Sequence, residues 1–352
     1  MQKKSTTLKD VARMAGVSTA TVARVLHSNG YIADETRMRV EAVIQKTGYR
    51  INTVARNLRI RRTATIGHIL NCIVPNPFFA GVALGVEQEA SKNGWSVLMV
   101  NVQADAQRER LGVETFIHQR MDAIVFTTPV SEANVQLALD AGIPVVQVER
   151  PTSIATHAII VDNYAGSTEA VEHLIAHGHR RIVFMGGDPA VRSADKLFGR
   201  YVEEERLAGY QDTLQKHHIS LDKRLIILGQ YYSMNEPFET YTPLKHLLQS
   251  DERPTAIFAT SDMLAACVLQ ELYACALRVP DDVSVIGYDD TYARYFSPPL
   301  TTVQQPMIDL GKVAVRLALQ HIQEKETLHP ETWQQVKLPT HLVIRSSTGP
   351  VR

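Results

Sequence analysis

From Thr7 to Leu26 the apolar positions recur at three- and four-residue spacing, the period of helices with one buried face. Leu8, Val11, Ala12 and Ala15 form one stripe, and Val22, Val25 and Leu26 form a second. Between them, Ala15-Gly-Val-Ser18 predicts a tight turn. Gly16 tolerates the positive φ that a sharp reversal needs. Ser18 can cap the following helix by accepting from its free N–H groups. The same spacing predicts a third helix from Asp34, its expected cap, with Val40, Val43 and Ile44 buried and Gly48 at its end. Arg50–Arg62 then holds a helix of about two turns, capped by Asn52 or Thr53 and too short to be stable alone in water.

After Thr65 the period changes. Apolar, β-branched runs predict strands at Thr65–Val74, Ser96–Val102, Ala123–Thr128, Pro144–Glu149, Ala158–Asp162, Arg181–Gly186, Leu225–Leu228, Ala256–Thr260 and Val283–Gly287. Helical stripes at Ala80–Asn93, Gln107–Gln119, Tyr164–His177, Glu203–His217, Asp262–Ala276 and Met307–Ile322 fall between most of them. This alternation predicts an α/β body of parallel sheets with helices on both faces. The zone is too long for one ordinary sheet, so two lobes are expected. Ligands of such sheets bind at the carboxyl ends of the strands, here across a cleft.

Charge sharpens this division. The formal net charge of the 352 residues is zero, yet Met1–Arg62 carries 13 Lys and Arg against 4 Asp and Glu, and the rest carries 24 against 33. A basic head on an acidic body suits a nucleic-acid-binding module joined to a second function. Thr19, Ala20 and Ala23, at the start of the second helix, are small enough for a recognition helix lying in the DNA major groove. Arg56, Arg59, Arg61 and Arg62 suit DNA phosphates. Cys72, Cys267 and Cys275 offer neither a disulfide framework nor metal-ligand spacing. No apolar run is long enough to span a membrane, and no apolar signal core follows the basic start, so a cytoplasmic protein is expected.

The sequence carries no Gly-x-Ser-x-Gly elbow, no Gly-x-x-x-x-Gly-Lys loop and no Gly-x-Gly-x-x-Gly turn. No catalytic residue and no cofactor is therefore expected. His173 and His177 share a helix face, with His179 following, a spacing that can bind zinc. No acidic or cysteine partner stands at suggestive spacing, and no metal is expected there.

These residues resemble the lactose-repressor/galactose-repressor (LacI/GalR) family of bacterial transcription regulators. The resemblance runs nearly end to end. The head carries Thr-Leu-Lys-Asp-Val-Ala…Ala-Gly-Val-Ser…Thr-Val…Arg-Val-Leu from Thr7 to Leu26, and the hinge Asn52-Thr-Val-Ala-Arg-Asn-Leu58. The body carries Pro75-Asn-Pro-Phe-Phe79, Arg206-Leu-Ala-Gly-Tyr210, the run Val279–Asp290, Pro299-Leu-Thr-Thr-Val-Gln-Gln-Pro306 and Leu338-Pro-Thr-His-Leu-Val-Ile-Arg345. The family implies a helix-turn-helix head over residues 1–50 and a hinge over 51–63. It implies a two-lobed, periplasmic-binding-protein-like body over 64–345. Lobe 1 would take roughly 64–162 and 304–322, and lobe 2 roughly 163–303 and 323–345.

The resemblance also implies roles. Thr19, Ala20 and Arg24 match base-reading positions, and Ser18 and Thr21 match phosphate-contacting ones. Thr7, with Asn52, Val54 and Ala55 of the hinge, completes the implied DNA contacts, and Leu58 matches a wedge into the minor groove. Ala23 stands where Ser is usual and His27 where Asn is usual. In the body, Asn76, Phe78, Phe79, Glu149, Arg206, Ser261 and Asp289 match effector-cleft positions, and Tyr231 or Tyr232 stands where an aromatic is common. Carboxylates and an arginine suit a polyol, since each can bond two neighbouring hydroxyls. Ser261 stands where Asn is common, the Gln230–Ser233 loop looks altered, and the stretch Gly187–Glu205 is longer than usual. Its Arg192, Lys196 and Arg200 would suit a phosphorylated or acidic sugar.

The implied partners are double-stranded operator DNA, a small-molecule effector and a second copy of the chain, with no membrane. The chain's last residues carry no leucine heptads, which favours a dimer. The expected function is a repressor whose operator affinity is set by a sugar or sugar derivative. A ligand-activated or co-repressed regulator of nucleoside or purine metabolism is the alternative. A sugar-binding or sugar-modifying α/β protein is more remote.

Overall fold

A capping box opens the first helix of the computed structural model, which describes residues 6–26, 31–49, 62–74, 76–187, 202–229, 242–324 and 333–352. The chain divides into two units, Met1–Thr63 and Ala64–Arg352. In the first, Thr7 caps α1 (Leu8–Ala15): its Oγ1 accepts from Asp10 N at 3.3 Å, and Asp10 Oδ2 accepts from Thr7 N at 3.0 Å. Gly16 follows with φ 66°, and Ser18 Oγ accepts from Thr21 N at 3.1 Å at the start of α2 (Thr19–Leu26). In α3 (Asp34–Thr47) the expected cap is displaced by one residue. Ala33 occupies the cap position without a side-chain bond, and Asp34 is the first helical residue, where its charge faces the positive end of the helix dipole. Val11, Ala12, Ala15, Val22 and Val40 form the core between these helices.

The second unit holds two six-stranded sheets. The first has the order β11-β5-β4-β3-β1-β2 and is parallel throughout. Its strands are β1 (Thr65–Leu70), β2 (Ser96–Asn101), β3 (Ala123–Thr127), β4 (Val145–Val148), β5 (His157–Val161) and β11 (Gln335–Leu338). The second has the order β12-β10-β9-β8-β6-β7, with only β12 antiparallel. Its strands are β6 (Ile182–Gly187), β7 (Ile226–Gly229), β8 (Ala256–Ala259), β9 (Ser284–Asp289), β10 (Thr301–Gln304) and β12 (His341–Val343).

Helices cover both faces of each sheet, as near-continuous apolar strands require. In the first lobe α4 (Pro77–Lys92) and α11 (Met307–Glu324) bury Val82, Val86, Leu310 and Ala314 on one face. There α5 (Ala106–His118) and α6 (Glu132–Asp140) bury Phe116 and Val135 on the other. In the second lobe α7 (Asn163–Ala176) and α8 (Val202–Lys216) cover one face, and α9 (Thr242–Leu248) and α10 (Asp262–Ala274) the other. The chain passes between the lobes after β5, after β10 and after β11.

Several elements differ from the pattern-based expectation. The first strand stops at Leu70 rather than Val74. Strands β10, β11 and β12 and helices α6 and α9 were not foreseen. The segment 323–345, expected in lobe 2, divides instead: β11 pairs with β5 of the first sheet and β12 with β10 of the second. An edge strand buries one face only, so β11 reads as alternating polar and half-buried positions rather than as an apolar run. His27, the hinge residues Asn52, Val54, Ala55, Arg56, Leu58, Arg59 and Arg61, the loop residues Arg192, Lys196 and Arg200, and Tyr231 and Tyr232 lie outside the described residues.

Candidate functional site

On the head, α2 presents Ser18, Thr19, Ala20 and Arg24 to solvent, while Val22 faces the core. Thr21 is half-buried, its hydroxyl 2.9 Å from that of Ser18. Thr7 spends its hydroxyl on the α1 cap. One helix face therefore offers small and hydroxyl side chains with one extended cation, a set able to approach base edges and phosphates.

In the body, side chains from both lobes meet at the carboxyl ends of the strands. A chamber of ≈ 50 Å³ is lined by Asn76 and Phe78 at the start of α4, Glu149 after β4, Arg206 on α8, Ser261 before α10 and Asp289 at the end of β9. Six predicted residues thus come together. Phe79 does not join them: it packs in the first-lobe core, its ring 5.5 Å from that of Phe78. Arg150, Glu203, Thr260 and Gln305 also line the chamber, and sequence reasoning missed them. Their signals were adjacency and motif: Arg150 follows Glu149, Thr260 precedes Ser261, Gln305 lies in the Pro299–Pro306 run, and Glu203 opens the glutamate triplet.

Local structure aims these groups. Asn76 and Ser261 are N-caps, accepting from Phe78 N at 2.9 Å and Leu264 N at 3.1 Å. Thr128, Glu149 and Asp289 hold φ of 57°, 71° and 114°. Non-glycine residues at such angles cost about 1–3 kcal/mol each, a strain that clusters at functional sites. The two carboxylates are thereby turned at the ends of their strands.

Hydrogen bonds fix each group. Glu149 Oε2 accepts from Thr128 Oγ1 at 2.7 Å. Arg206, buried, donates from Nε to Asn163 Oδ1 at 2.9 Å and from Nη1 to the Thr260 carbonyl at 2.7 Å. Its guanidinium lies 3.7 Å from the Tyr288 ring centroid, a cation–π contact. Asp289 Oδ1 accepts from Gln305 Nε2 at 2.6 Å, while the buried Gln305 Oε1 has no partner among the described residues. Burial, then the neighbouring Asp262 charge, pushes the Asp289 carboxyl up to about 8. Asp262, also buried, is raised to about 6 although it accepts from Thr302 Oγ1 at 2.6 Å and Thr291 N at 2.8 Å. A second hollow of ≈ 550 Å³ lies beside the lobe crossings and shares Asp289 and Gln305 with the chamber.

Of the histidines with zinc-like spacing, His173 bonds Thr348, and His179 bonds Thr255, Ser284 and the Gly349 carbonyl. His173 Nε2 lies 3.0 Å from Thr348 Oγ1, and the two ring nitrogens of His179 meet Thr255 Oγ1 and Ser284 Oγ at 2.9 and 3.1 Å. No helix among the described residues is long and apolar enough to cross a membrane.

Both parts of the chain have known relatives. Residues 7–52 match the model of bacterial regulatory proteins of the lacI family, and residues 171–348 match a periplasmic binding protein-like domain. The chain is 33% identical to the ribose operon repressor of Haemophilus influenzae, covering 97% of this chain and 98% of that one. It is 30% identical to the HTH-type transcriptional repressor PurR of the same species, with the same coverage. The structure of the lac repressor dimer bound to operator and the anti-inducer ONPF superposes with a TM-score of 0.77 at 26% identity, over 98% of this chain and all of that one. These relatives are repressors, not enzymes.

Proposed function

Since the chain belongs to the lacI family of DNA-binding transcription repressors, we propose that it represses transcription as a dimer and that a sugar or sugar derivative in the interlobe chamber sets its operator affinity. The convergence of Glu149, Arg206, Ser261, Asp289 and Gln305 from two lobes carries this reading. Carboxylates, a guanidinium and an amide side by side match the paired donors and acceptors of vicinal hydroxyls. Phe78 is the one aromatic among the described lining residues. The PurR relatives favour a purine as the second reading.

Each head places α2 in a major groove of one half-site, with half-sites about one helical turn apart. Thr19, Ala20 and Arg24 read bases, and Ser18 and Thr21 hold phosphates. Thr7, Asn52, Val54, Ala55 and Leu58 complete the DNA contacts. The cytoplasm is the compartment this role requires. Closing the chamber on its ligand changes operator affinity by a coupling free energy of about 1–3 kcal/mol.

Calorimetric melting of the full chain against sugars, sugar acids and nucleobases tests the effector, because a ligand of the folded state raises the melting point. A sugar is the expected hit, and its addition should alter operator affinity in a gel-shift titration. A response to nucleobases alone would overturn the sugar reading in favour of the purine one.

A further inference from the structure

Arg150 follows β4 in the first lobe, and Glu203 lies in the first turn of α8 in the second. Two parallel hydrogen bonds join them across the chamber, Nη1 to Oε2 at 2.5 Å and Nη2 to Oε1 at 2.7 Å. Their side chains are only 13% and 10% exposed. Fork-to-fork pairing of this kind is the strongest and most directional arrangement open to the two groups. Burial opposes ionisation of Glu203, but Arg150 outweighs it and holds the carboxyl below its ordinary range.

The other charges among the described lining residues are also engaged. Arg206 bonds neutral acceptors and stacks on Tyr288. Glu149 accepts from Thr128 and lies 3.7 Å from Arg150 Nε. We propose that Arg150 and Glu203 form a specificity-determining ion pair that ties the lobes across the chamber and makes it select uncharged ligands over anionic ones. This rests on the chamber being the effector site. A phosphate ester or carboxylate could take Arg150 only by leaving Glu203 unpaired in a buried place, where a lone charge is strongly disfavoured. Left unbound to Arg150, it would sit beside Glu149 and Glu203 and meet their repulsion. A neutral polyol keeps the pair intact and places its hydroxyls on Glu149, Asp289 and the unpartnered Gln305 Oε1.

Inorganic phosphate is the probe, and calorimetric melting of the full chain the readout. Glu203→Gln removes the carboxylate that Arg150 binds bidentately and lowers the negative charge around it, so phosphate should give this variant a saturable rise in melting temperature. Wild type and the double variant Arg150→Gln/Glu203→Gln should lack that rise. Phosphate held by the basic head shifts all three alike and cancels from the comparison. An equal response in wild type and Glu203→Gln, or a response kept by the double variant, would overturn the proposal. Should Glu203→Gln melt too low to titrate, the double variant decides, because it removes the buried cation that has lost its bidentate partner and should melt higher. A double variant no more stable than the single one would overturn the tie between lobes. None of these measurements uses operator or sugar, so a failure here leaves the effector reading intact, and the converse holds.

Discussion

Asp289 ends β9 at φ 114°, fully buried, one hydrogen bond from Gln305 and within the field of Asp262. Its carboxyl is raised to about 8, so the folded chain keeps a proton that the unfolded chain loses near 3.8. The folded state then binds more protons between those values, and unfolding free energy must fall as pH rises through them. Asp289's contribution is complete below 3.8 and gone above about 8. Asp289→Asn should flatten this fall in denaturant titrations run across the interval, and an unchanged slope would mean that the folded carboxyl is already ionised. His68, buried and lowered to about 4 by desolvation, acts in the other sense, since its neutral ring stabilises above 6.5 and the benefit is lost as pH drops to about 4. Arg206 touches Asn163, Thr260 and Tyr288 at once, so Arg206→Ala should abolish the effector response while leaving operator affinity nearly intact. Loss of operator binding as well would make Arg206 a structural strut. On the head, Arg24→Ala should cost about 1–3 kcal/mol on the cognate operator and much less on unrelated DNA.

At the level of elements, the head helices are only eight residues long in α1 and α2, so their caps weigh heavily. Ser18→Ala removes the bond to Thr21 N and should lower the stability of the head by about 1 kcal/mol, measurable as a lower melting point of the head transition. The helices of the head and the central strands were legible because one-sided or two-sided burial imprints a period on the sequence. Strands β10 and β12 span four and three residues, too short to show one. β11 and α9 were invisible for related reasons: an edge strand is half polar, and a seven-residue helix has no sustained stripe. The candidate residues came to notice inside a family-like motif, as Asn76, Phe78, Arg206 and Asp289 do, or at the end of a predicted strand, as Glu149 and Ser261 do. Arg150 and Glu203 escaped because their pairing joins positions 53 residues apart, a distance that only the packed lobes close.

On the scale of the whole molecule, opposite charge in head and body predicts a strongly salt-dependent association with DNA. Each phosphate neutralised contributes about −0.9 to the slope of log affinity against log salt. A titration of operator binding between low and moderate salt should show a steep negative slope, and a flat one would deny the head its role. The chain's passages between lobes have another outcome, felt before the protein is complete. The first lobe needs α11 to fill its core and β11 to finish its sheet, and both follow the whole of the second sheet's parallel strands in the chain. A chain still on the ribosome can therefore fold its DNA-binding head early, but must hold β1 to β5 incomplete until α11 and β11, more than 200 residues after β1, have been made. Domains generally fold as units during synthesis; here the order of the sequence makes the first lobe to begin one of the last to finish, and any chain cut short before Met307 would carry a competent head on a body unable to close.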